Sequence, residues 1–360
     1  MDYKSMFHKL KIKNIRPETA DCVSISFDVP TEVKDDFQYK AGQFLTFRTH
    51  LGDEEVRRSY SICSSPLENE LRVAVKKAHL GKFSNYVHES LKEGDLLETM
   101  LPAGRFIVNT DAQNAKKYVG IAAGSGITPV LSILKTVLNT EPHSHFTLIY
   151  GNKRRNTIIF KEAIEALKNK FMNRLSVYHI LSQEVTDAPI LRGRIDAEKL
   201  DYFLKHLIDS TSVDDFFICG PEDMTHAARE TLAAAGVDHR KIHFELFAAI
   251  KPLKSAINTT ETLEKDEQCQ VTVRLDGSAI TMPLAYHGEN ILDAALKNGA
   301  DLPYACKGGV CCTCKAKLVE GQVEMTVHYG LEAEEIEAGF ILTCQSHPRT
   351  PKVVVDFDLK

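Results

Sequence analysis

Four of the nine cysteines have a spacing that narrowly limits what the C-terminal part of the chain can fold into. Cys306, Cys311 and Cys314 form a C-x4-C-x2-C pattern, and Cys344 stands alone farther along the chain. This is the spacing of the four thiolate ligands of a [2Fe–2S] cluster. Two glycines lie inside the pattern, and glycines let backbone N–H groups turn toward a negatively charged iron–sulfur core. We therefore predict that these four cysteines hold such a cluster and that the chain carries single electrons.

Two other roles for the cysteines agree less well with the sequence. A structural zinc site usually has two C-x2-C pairs, whereas this chain has one close pair and a solitary fourth cysteine. A disulfide framework fits poorly, because nine cysteines cannot all pair and the charged segment Met1–Pro17 does not resemble a secretory signal. Cys312, which lies inside the pattern, is predicted to be a spare thiol.

The composition is that of a multidomain globular protein. Its 360 residues, 43% of them hydrophobic, are enough for about two to three packed domains. No apolar run approaches the roughly 18 residues that a membrane-spanning helix requires. The net charge of −5 argues against a polyanionic partner. We expect a cytoplasmic protein with neither a membrane nor a nucleic-acid partner.

Residues 1–110 contain short strands of alternating polarity, among them Cys22–Phe27, Gln43–Phe47 and Leu71–Val75. Closely spaced strands of this kind predict a small antiparallel β-barrel. From residue 111 to residue 248, strands alternate with helices instead. The predicted strands are Tyr118–Ala123, Phe146–Tyr150, Leu175–Leu181, Asp215–Cys219 and Ile242–Phe247. This alternation predicts a doubly wound parallel sheet.

Residues 249–268 have little periodicity and end in a charged run, which is typical of an exposed linker. Residues 269–360 begin with a predicted hairpin around Asp276-Gly277, followed by a helix over Ile291–Leu296 that Gly299 ends. The cysteine loop comes next. The sequence therefore predicts a multidomain protein with a β, an α/β and an α+β domain in that order.

Arg58-Ser59-Tyr60-Ser61 follows a predicted strand of the barrel and contains the groups that a flavin requires. A guanidinium neutralises a pyrophosphate, a tyrosine ring packs on the isoalloxazine, and a serine hydroxyl hydrogen-bonds its N5 edge. An ordinary strand with a surface arginine is the alternative. Gly81-Lys82-Phe83-Ser84 favours the flavin, because a glycine at the start of a helix with a serine in its first turn forms a cradle for anions.

The segment Gly124-Ser125-Gly126-Ile127-Thr128-Pro129 comes directly after a predicted strand and opens a helix, where dinucleotide phosphates bind. Cys219-Gly220-Pro221 follows another strand. Both turns are predicted at the carboxyl ends of parallel strands, the edge where such sheets bind ligands. A plain tight turn is the alternative. The predicted nicotinamide-dinucleotide ligands are Gly124, Gly126, Thr128, Pro129, Gly220 and Pro221.

Together, these motifs resemble the ferredoxin–NADP reductase superfamily fused to a C-terminal plant-type ferredoxin, from about Phe7 to Lys360. Within that superfamily they resemble the reductases that serve phenylacetyl-coenzyme A epoxidases. The segments that carry the resemblance are Tyr60-Ser61-Ile62-Cys63, Val73-Ala74-Val75-Lys76, Ala122–Pro129, Ile149-Tyr150-Gly151-Asn152 and Leu302–Cys311. The resemblance implies an FAD-binding antiparallel barrel, an NAD(P)-binding parallel sheet and a β-grasp ferredoxin domain.

The resemblance also implies roles for further residues. Cys219 would border the nicotinamide, and Glu245-Leu246-Phe247 would bring an aromatic ring over the flavin. A plain core aromatic is the alternative for Phe247. Ser61, Cys219 and Glu245 are the predicted catalytic residues. Cys312 departs from the superfamily, which commonly has a small residue there. The residues implied to hold FAD are Arg58, Tyr60, Ser61, Val75, Lys76, Gly81 and Ser84.

The implied activity is hydride transfer from NAD(P)H to FAD, then one-electron transfer to the cluster and onward to an oxygenase component of the di-iron type. Three alternatives are a reductase of another oxygenase or hydroxylase, a general NAD(P)H:acceptor reductase, and a non-enzymatic redox sensor. A sensor would not need a hydride-accepting module, and a general reductase would not need the cluster domain.

The choice of coenzyme depends on a basic turn. Lys153, Arg154 and Arg155 follow the strand Phe146–Tyr150 and can bind the 2′-phosphate of NADPH. A solvated basic turn is the ordinary alternative. The sequence therefore predicts NADPH and leaves NADH open.

Overall fold

The computed structural model describes residues 7–186, 188–247 and 268–359, which belong to two compact units. The first unit runs from Phe7 to Phe247, and the second contains residues 268–359. The predicted linker at 249–268 lies outside the described residues except for its last position.

The first unit begins with a six-stranded antiparallel barrel. Its strands are β1 Phe7–Thr19, β2 Cys22–Asp28, β3 Phe44–Leu51, β4 Glu54–Ser61, β5 Leu71–Lys76 and β6 Leu96–Met100. Their order across the sheet is β4-β3-β6-β1-β2-β5. The barrel closes just beyond β4, where Ile62 forms an antiparallel bridge with Val73 and the N–H of Cys63 donates to the carbonyl of Arg72 at 2.9 Å. Helix α1, Lys82–Glu89, packs against β4 and β5.

The packed core of the barrel holds β4 and β5 in place. Alternate residues of the strands point inward, as a period of two requires, and Phe27 stacks on Phe47 with ring centroids 5.3 Å apart. Ile25, Val73 and Val75 are buried in the same cluster. Close packing of this kind leaves little freedom for the ends of β4 and β5.

The second part of this unit is a five-stranded parallel sheet. Its elements are β7 Lys117–Ala123, α2 Ile127–Thr140, β8 His145–Asn152, α3 Lys161–Lys170, β9 Leu175–Leu181, α4 Ala197–His206, β10 Asp215–Gly220, α5 Glu222–Ala234 and β11 Ile242–Leu246. The strand order is β11-β10-β7-β8-β9. The chain runs outward from β7 to β9 and then returns to the other side of β7. The order therefore reverses between β7 and β10, and ligands bind in the crevice at such a reversal point.

Two helices beside this sheet differ from the predictions made from the sequence. Helix α4 was not predicted, although Asp196 caps it by accepting a 2.9 Å hydrogen bond from the N–H of Lys199 and Leu200 and Phe203 form its buried stripe. The sequence predicts a helix over Thr157–Lys170, but α3 begins only at Lys161, because Phe160 takes a left-handed conformation, with φ of 60°, that interrupts the helical geometry.

The described part of the second unit contains a five-stranded mixed sheet, a two-stranded sheet and two helices. Its elements are β12 Gln268–Leu275, β13 Ser278–Ala285, α6 Ile291–Lys297, β14 Lys315–Glu320, β15 Val323–Met325, α7 Ala333–Glu337, β16 Phe340–Leu342, β17 Ser346–Pro348 and β18 Lys352–Asp356. The main sheet has the order β13-β12-β18-β14-β16, and only β12 and β18 pair in parallel. Asp276 and Gly277 both have positive φ in the hairpin turn, 48° and 71°, as a type I′ turn requires. The predicted β, α/β and α+β fold class is confirmed.

Within residues 7–186, 188–247 and 268–359, no helix combines the length and apolar character that crossing a membrane requires.

Candidate cofactor sites

An aromatic cluster surrounds the predicted flavin residue Tyr60. Its ring packs on that of Phe83 in α1, with centroids 5.6 Å apart and planes inclined by 32°. Phe47 of β3 lies 6.1 Å from both rings. Burial raises the pKa of the Tyr60 hydroxyl, so this group stays protonated near neutral pH. The cluster makes Tyr60 a firmly packed wall beside the end of β4.

Ser61 joins the barrel to the last strand of the parallel sheet. Its hydroxyl donates a 2.9 Å hydrogen bond to Glu245 Oε2. Ser61 is buried. Burial also raises the pKa of Glu245 to about 7, although the hydrogen bond from Ser61 opposes that shift. Two of the three predicted catalytic residues are therefore in direct contact.

The turn before α1 is built around Ser84. Its hydroxyl accepts from the N–H of Ala78 and donates to the carbonyl of Gly81, both at 3.1 Å. A Cβ on Gly81 would lie 2.5 Å from Ser84 Oγ, so glycine is needed here. Ser84 thus shapes the cradle and keeps its hydroxyl within the turn. Next to it, Asn85 Oδ1 is buried and has no hydrogen-bond partner among the described residues, which fits an acceptor for a ligand group.

The other predicted flavin residues lie on the two strands that the closing bridge brings together. Arg58 Nη1 donates to the carbonyl of Arg57 at 2.6 Å. On β5, Val75 is buried, and Lys76 Nζ lies 3.5 Å from Asp21 Oδ2. Arg58 and Lys76 keep partly exposed side chains. Both cations therefore fit the binding of a pyrophosphate at the barrel surface.

The two glycine turns of the parallel sheet touch each other. A Cβ on Gly126 would lie only 2.1 Å from the carbonyl oxygen of Cys219 and 2.8 Å from the nitrogen of Gly220. The hydroxyl of Thr128 donates to the carbonyl of Ser125 at 3.0 Å. The turns after β7 and β10 are thus packed together at the reversal point of the strand order, where dinucleotides bind.

The same edge of the sheet has open space beside Gly124 and a hydrogen-bond donor, Asn152 Nδ2, without an acceptor among the described residues. Gly124 has a φ of +54°, and nothing lies within 4 Å of the position that a Cβ would take. The hydroxyl of Tyr150 holds this turn by donating to the carbonyl of Gly124 at 3.0 Å. At the end of β8, Asn152 Nδ2 is buried without a hydrogen-bond partner among the described residues. An open glycine turn and an orphaned amide fit a bound nucleotide.

The remaining residues predicted at this edge are placed as follows. Cys219 is fully buried, and that burial raises the pKa of its thiol well above the ordinary value. Pro129 is buried in the first turn of α2, and Pro221 precedes the first residue of α5. Phe247 is the last described residue of the first unit and is 43% exposed.

The basic turn after β8 is exposed. The N–H of Arg155 donates to Glu184 Oε2 at 2.7 Å, and Arg155 Nε lies 3.8 Å from Glu184 Oε1. Among the residues that the structure describes, neither Lys153 nor Arg154 forms an ion pair. Two of the three predicted phosphate-binding cations are therefore uncompensated, while Glu184 partly neutralises the third.

The four predicted cluster ligands form two pairs. The thiols of Cys306 and Cys311 shift each other's pKa, downward for Cys306 and upward for Cys311, and the Cys344 thiol raises the pKa of Cys314. No three or more Cys, His, Asp or Glu side chains in the described part of the chain are grouped to hold a single metal ion. Two neighbouring pairs of thiols are compatible with a binuclear cluster, in which each iron takes two protein ligands.

Backbone N–H groups surround the first ligand. The N–H of Gly308 donates to Cys306 Sγ at 3.3 Å. The hydrogen bond with the Cys311 thiol and those with the N–H groups of Gly308, Cys311 and Val310 lower the pKa of Cys306 to about 6, against the effect of burial. Backbone N–H groups directed at this sulfur fit a negatively charged iron–sulfur cluster.

The loop around the ligands is held from outside. Lys307 has a φ of +51°, and its Nζ lies 2.6 Å from Asp293 Oδ1 in α6. Gln345, directly after the fourth ligand, donates from Nε2 to the carbonyl of Lys307 at 3.0 Å. A Cβ on Gly330 would lie 2.5 Å from the carbonyl oxygen of Cys311. These contacts hold the ligand loop without using the thiols.

Comparison with family models assigns the three parts of the chain. Residues 9–107 match an oxidoreductase FAD-binding domain, residues 121–230 an oxidoreductase NAD-binding domain, and residues 273–349 a 2Fe-2S iron-sulfur cluster binding domain. One component of the 1,2-phenylacetyl-CoA epoxidase of Escherichia coli is 45% identical over 354 residues, which is 98% of each chain. The chain belongs to this ferredoxin reductase family. It is an oxidoreductase that uses FAD, a nicotinamide nucleotide and a [2Fe–2S] cluster.

Two further matches concern other members of the group. The ferredoxin reductase component of the 3-ketosteroid-9-alpha-monooxygenase of Rhodococcus rhodochrous is 33% identical to this chain. The match covers 97% of this chain and 96% of the Rhodococcus protein. The solved structure of phthalate dioxygenase reductase covers 98% of this chain and 99% of its own, with a TM-score of 0.62 and 23% identity. That structural match supports the fold.

Several residues of the reductase's sites were not predicted. Asn85 is an ordinary amide in the sequence, and Asn152 was part of the resemblance segment Ile149–Asn152 without a role of its own. Unpartnered burial distinguishes both amides. Gly330 and Gln345 lie away from the C-x4-C-x2-C pattern and meet the ligand loop only in the folded domain. The position of Gln345 next to Cys344 was the one available signal.

Proposed function

We propose that this reductase takes electrons from NADPH and delivers them, through FAD and the [2Fe–2S] cluster, to a di-iron oxygenase that epoxidises phenylacetyl-coenzyme A. The 45% identity to an epoxidase component over 98% of both chains carries this proposal. The residue contacts support each end of the route. The contact between Ser61 and Glu245 supports the flavin end, and the C-x4-C-x2-C spacing with Cys344 supports the cluster end.

When bound, FAD accepts a hydride and releases electrons one at a time, and the cluster accepts single electrons. The protein supplies binding, orientation and protons. Tyr60 and the aromatic rings behind it provide a wall for the flavin. Ser61 Oγ donates to Glu245 Oε2 at 2.9 Å, and the pKa of Glu245 is raised to about 7. This pair can therefore hold or release a proton near the flavin close to neutral pH.

The coenzyme is proposed to bind across the two glycine turns. The open turn at Gly124 and the N–H groups at the start of α2 receive the pyrophosphate. Asn152 supplies a side-chain donor at the same edge. Cys219 borders the nicotinamide and contributes mainly through its backbone and its small size, since its buried thiol is held protonated. Phe247 and Tyr60 are proposed to cover opposite faces of the flavin.

NADPH is the proposed coenzyme. Lys153 and Arg154 are exposed and uncompensated within the described residues, so both can pair with a 2′-phosphate. Arg155 is the weaker candidate, because Glu184 already receives its N–H and lies near its guanidinium.

The cluster domain is proposed to dock on a basic patch of the oxygenase. Between Cys269 and Lys360 there are 8 Lys and Arg and 12 Asp and Glu. Opposite surface charge accelerates association and makes it sensitive to salt. Turnover with the partner should therefore fall as ionic strength rises.

Reconstitution with the oxygenase component of a phenylacetyl-coenzyme A epoxidase tests the proposal. NADPH-dependent oxygen consumption and formation of the epoxide are expected, and both should decline with added salt. Reduction of an artificial acceptor serves as the control for an intact electron route. If that reduction proceeds but the oxygenase receives no electrons at any salt concentration, the reductase serves another acceptor.

The leading alternative acceptor is a different oxygenase. The 33% identity to a steroid monooxygenase reductase over nearly full length supports this possibility. A pull-down with the holoprotein, followed by identification of the captured oxygenase, separates the two. A general NAD(P)H:acceptor reductase would reduce free acceptors rapidly and would gain nothing from any oxygenase.

A further inference from the structure

A buried hydrogen-bonded seam joins the barrel to helix α2 of the parallel sheet. Ser132 Oγ in α2 donates to the carbonyl of Ser64 at 2.6 Å. The hydroxyls of Ser65 and Thr136 lie 2.8 Å apart. All four residues are at most 7% exposed. None of them belongs to the cofactor-binding or catalytic residues named above.

The direction of each hydrogen bond follows from the number of protons available. The hydroxyl of Thr136 donates to the carbonyl of Ser132 at 2.7 Å. A hydroxyl has one proton, so Thr136 Oγ1 must accept from Ser65. Ser65 Oγ in turn accepts from the N–H of Leu67 at 3.3 Å. Every hydroxyl proton of the seam has one acceptor, and removal of either α2 hydroxyl breaks a defined bond between the two parts.

Other contacts also hold the barrel against the parallel-sheet part. Lys135, on the same stretch of α2, donates from Nζ to Glu68 Oε2 at 3.0 Å. The rings of Phe106 and Phe217 meet edge to face with centroids 5.6 Å apart. Because buried interfaces are packed to near-crystalline density, the barrel and the sheet have little room to shift while the seam is intact.

The seam lies close in the chain to both cofactor sites. Ser64 and Ser65 come shortly after Tyr60 and Ser61 at the flavin end. Ser132 and Thr136 are on the helix that begins directly after the turn Gly124–Gly126. A helix transmits position rigidly over such a distance. The seam therefore fixes the position of the barrel residues at the flavin end relative to the turn Gly124–Gly126.

We propose that Ser132 and Thr136 are positioning residues for hydride transfer, and that they set the distance between the flavin beside Tyr60 and the coenzyme on Gly124–Gly126. The inference rests on the proposed function. Hydride transfer needs the reacting atoms about 3–3.5 Å apart, and a displacement of about 1 Å can cost roughly 100-fold in rate. Loss of the seam should therefore slow transfer more than it weakens coenzyme binding.

Thr136→Val tests the inference, because valine keeps the shape and removes the hydroxyl. Thr231→Val is the matched control. Thr231 in α5 makes the same kind of bond within its own helix, to the carbonyl of Ala227 at 2.8 Å, and across the described residues its hydroxyl makes no hydrogen bond to the barrel. Thr136→Ser keeps the hydroxyl and should restore wild-type behaviour.

Three quantities are measured on the full-length holoprotein. Anaerobic rapid mixing with NADPH yields the limiting rate constant of flavin reduction and the coenzyme dissociation constant. Amide hydrogen exchange follows residues 65–68 and α2. For Thr136→Val, we expect a rate constant roughly tenfold lower, a dissociation constant within about twofold, and faster exchange at the seam. Thr231→Val should leave the rate constant unchanged.

A wild-type rate constant in Thr136→Val with faster exchange at the seam would overturn the inference. So would weaker coenzyme binding with no change in the rate constant. If Thr136→Val loses FAD, Ser132→Ala provides the same comparison. Failure of the proposed function would look different, because NADPH would then reduce the wild-type flavin at its normal rate while the epoxidase oxygenase received no electrons.

Discussion

The hydroxyl of Ser61 and the carboxylate of Glu245 share a 2.9 Å hydrogen bond across 184 residues of sequence. Ser61 ends β4 of the barrel, whereas Glu245 lies in β11 at the edge of the parallel sheet. The bond places a titratable group with a raised pKa beside the predicted flavin edge. It is a further polar contact between the two parts of the first unit, besides those at α2.

The Ser61–Glu245 pair predicts a pH dependence. Flavin reduction should show an inflection near pH 7, and Glu245→Gln should remove it, because the amide does not titrate in this range. Ser61→Ala should move the inflection to higher pH, since the hydrogen bond that is lost normally lowers the pKa of Glu245. Rapid-mixing measurements at a series of pH values provide the check. Ser59→Ala, on the same strand but bonded to Thr46, is the control and should leave the profile unchanged.

The same carboxyl predicts a trend in stability. Burial raises the pKa of Glu245 from 4.5 to about 7. The folded state therefore favours the neutral form, and this contribution is full below pH 4.5 and is lost as the pH rises through about 7. The melting temperature of Glu245→Gln relative to wild type should increase over that window. A constant difference between the two proteins from pH 5 to pH 8 would contradict the shift.

Gly126→Ala should damage both stability and coenzyme binding. The new Cβ would lie 2.1 Å from the backbone carbonyl of Cys219, so one of the two glycine turns must move. Overpacking of this kind typically costs about 1–3 kcal/mol of unfolding free energy, and the displaced turn should weaken coenzyme binding by roughly tenfold. Thermal unfolding and coenzyme titration measure the two effects. Gly52→Ala, in an open hairpin turn of the barrel, should lower stability through its positive φ while leaving coenzyme affinity intact.

Cys311→Ser should abolish the cluster and leave flavin reduction by NADPH largely unchanged. The cluster ligands belong to the second compact unit, whereas the flavin and coenzyme residues belong to the first. Cys312→Ser is a closely matched control, because it changes the neighbouring thiol and should retain two irons and two sulfides per chain. Iron, zinc and labile-sulfide analysis of anaerobically purified protein checks both variants. Zinc without iron in the wild type would remove the cluster assignment.

The double variant Arg154→Ala/Arg155→Ala should raise the KM for NADPH by roughly tenfold, because charge-assisted bonds to a phosphate are lost. The KM for NADH should change little. The double variant Lys168→Ala/Lys170→Ala, which removes two exposed cations on α3, controls for the change in net charge. Steady-state assays with both coenzymes distinguish the outcomes. Equal losses for the two coenzymes would mean that the basic turn binds a group that both coenzymes share.

Local sequence patterns were sufficient for much of this protein. The cysteine spacing predicts the cluster ligands because three of the four share one loop, and a loop of fixed length restricts where its thiols can lie. The Asp276-Gly277 turn and the strand–turn–helix around Gly124 are equally local. Helix α4, which was not predicted, also had local signals in Asp196, Leu200 and Phe203. Its cap and its apolar stripe are properties of the sequence rather than effects of tertiary structure.

The contacts between distant residues were decided by the tertiary structure. The sequence suggested Ser61 and Glu245 separately, but their hydrogen bond depends on how the parallel sheet packs beside the barrel. Gly126 is a common turn residue until β10 brings Cys219 against it. Ser132 and Thr136 are unremarkable polar residues of an apolar helix until the barrel places Ser64 and Ser65 opposite them. Local periodicity records which face of an element is buried, whereas strand order and packing determine which residues meet there.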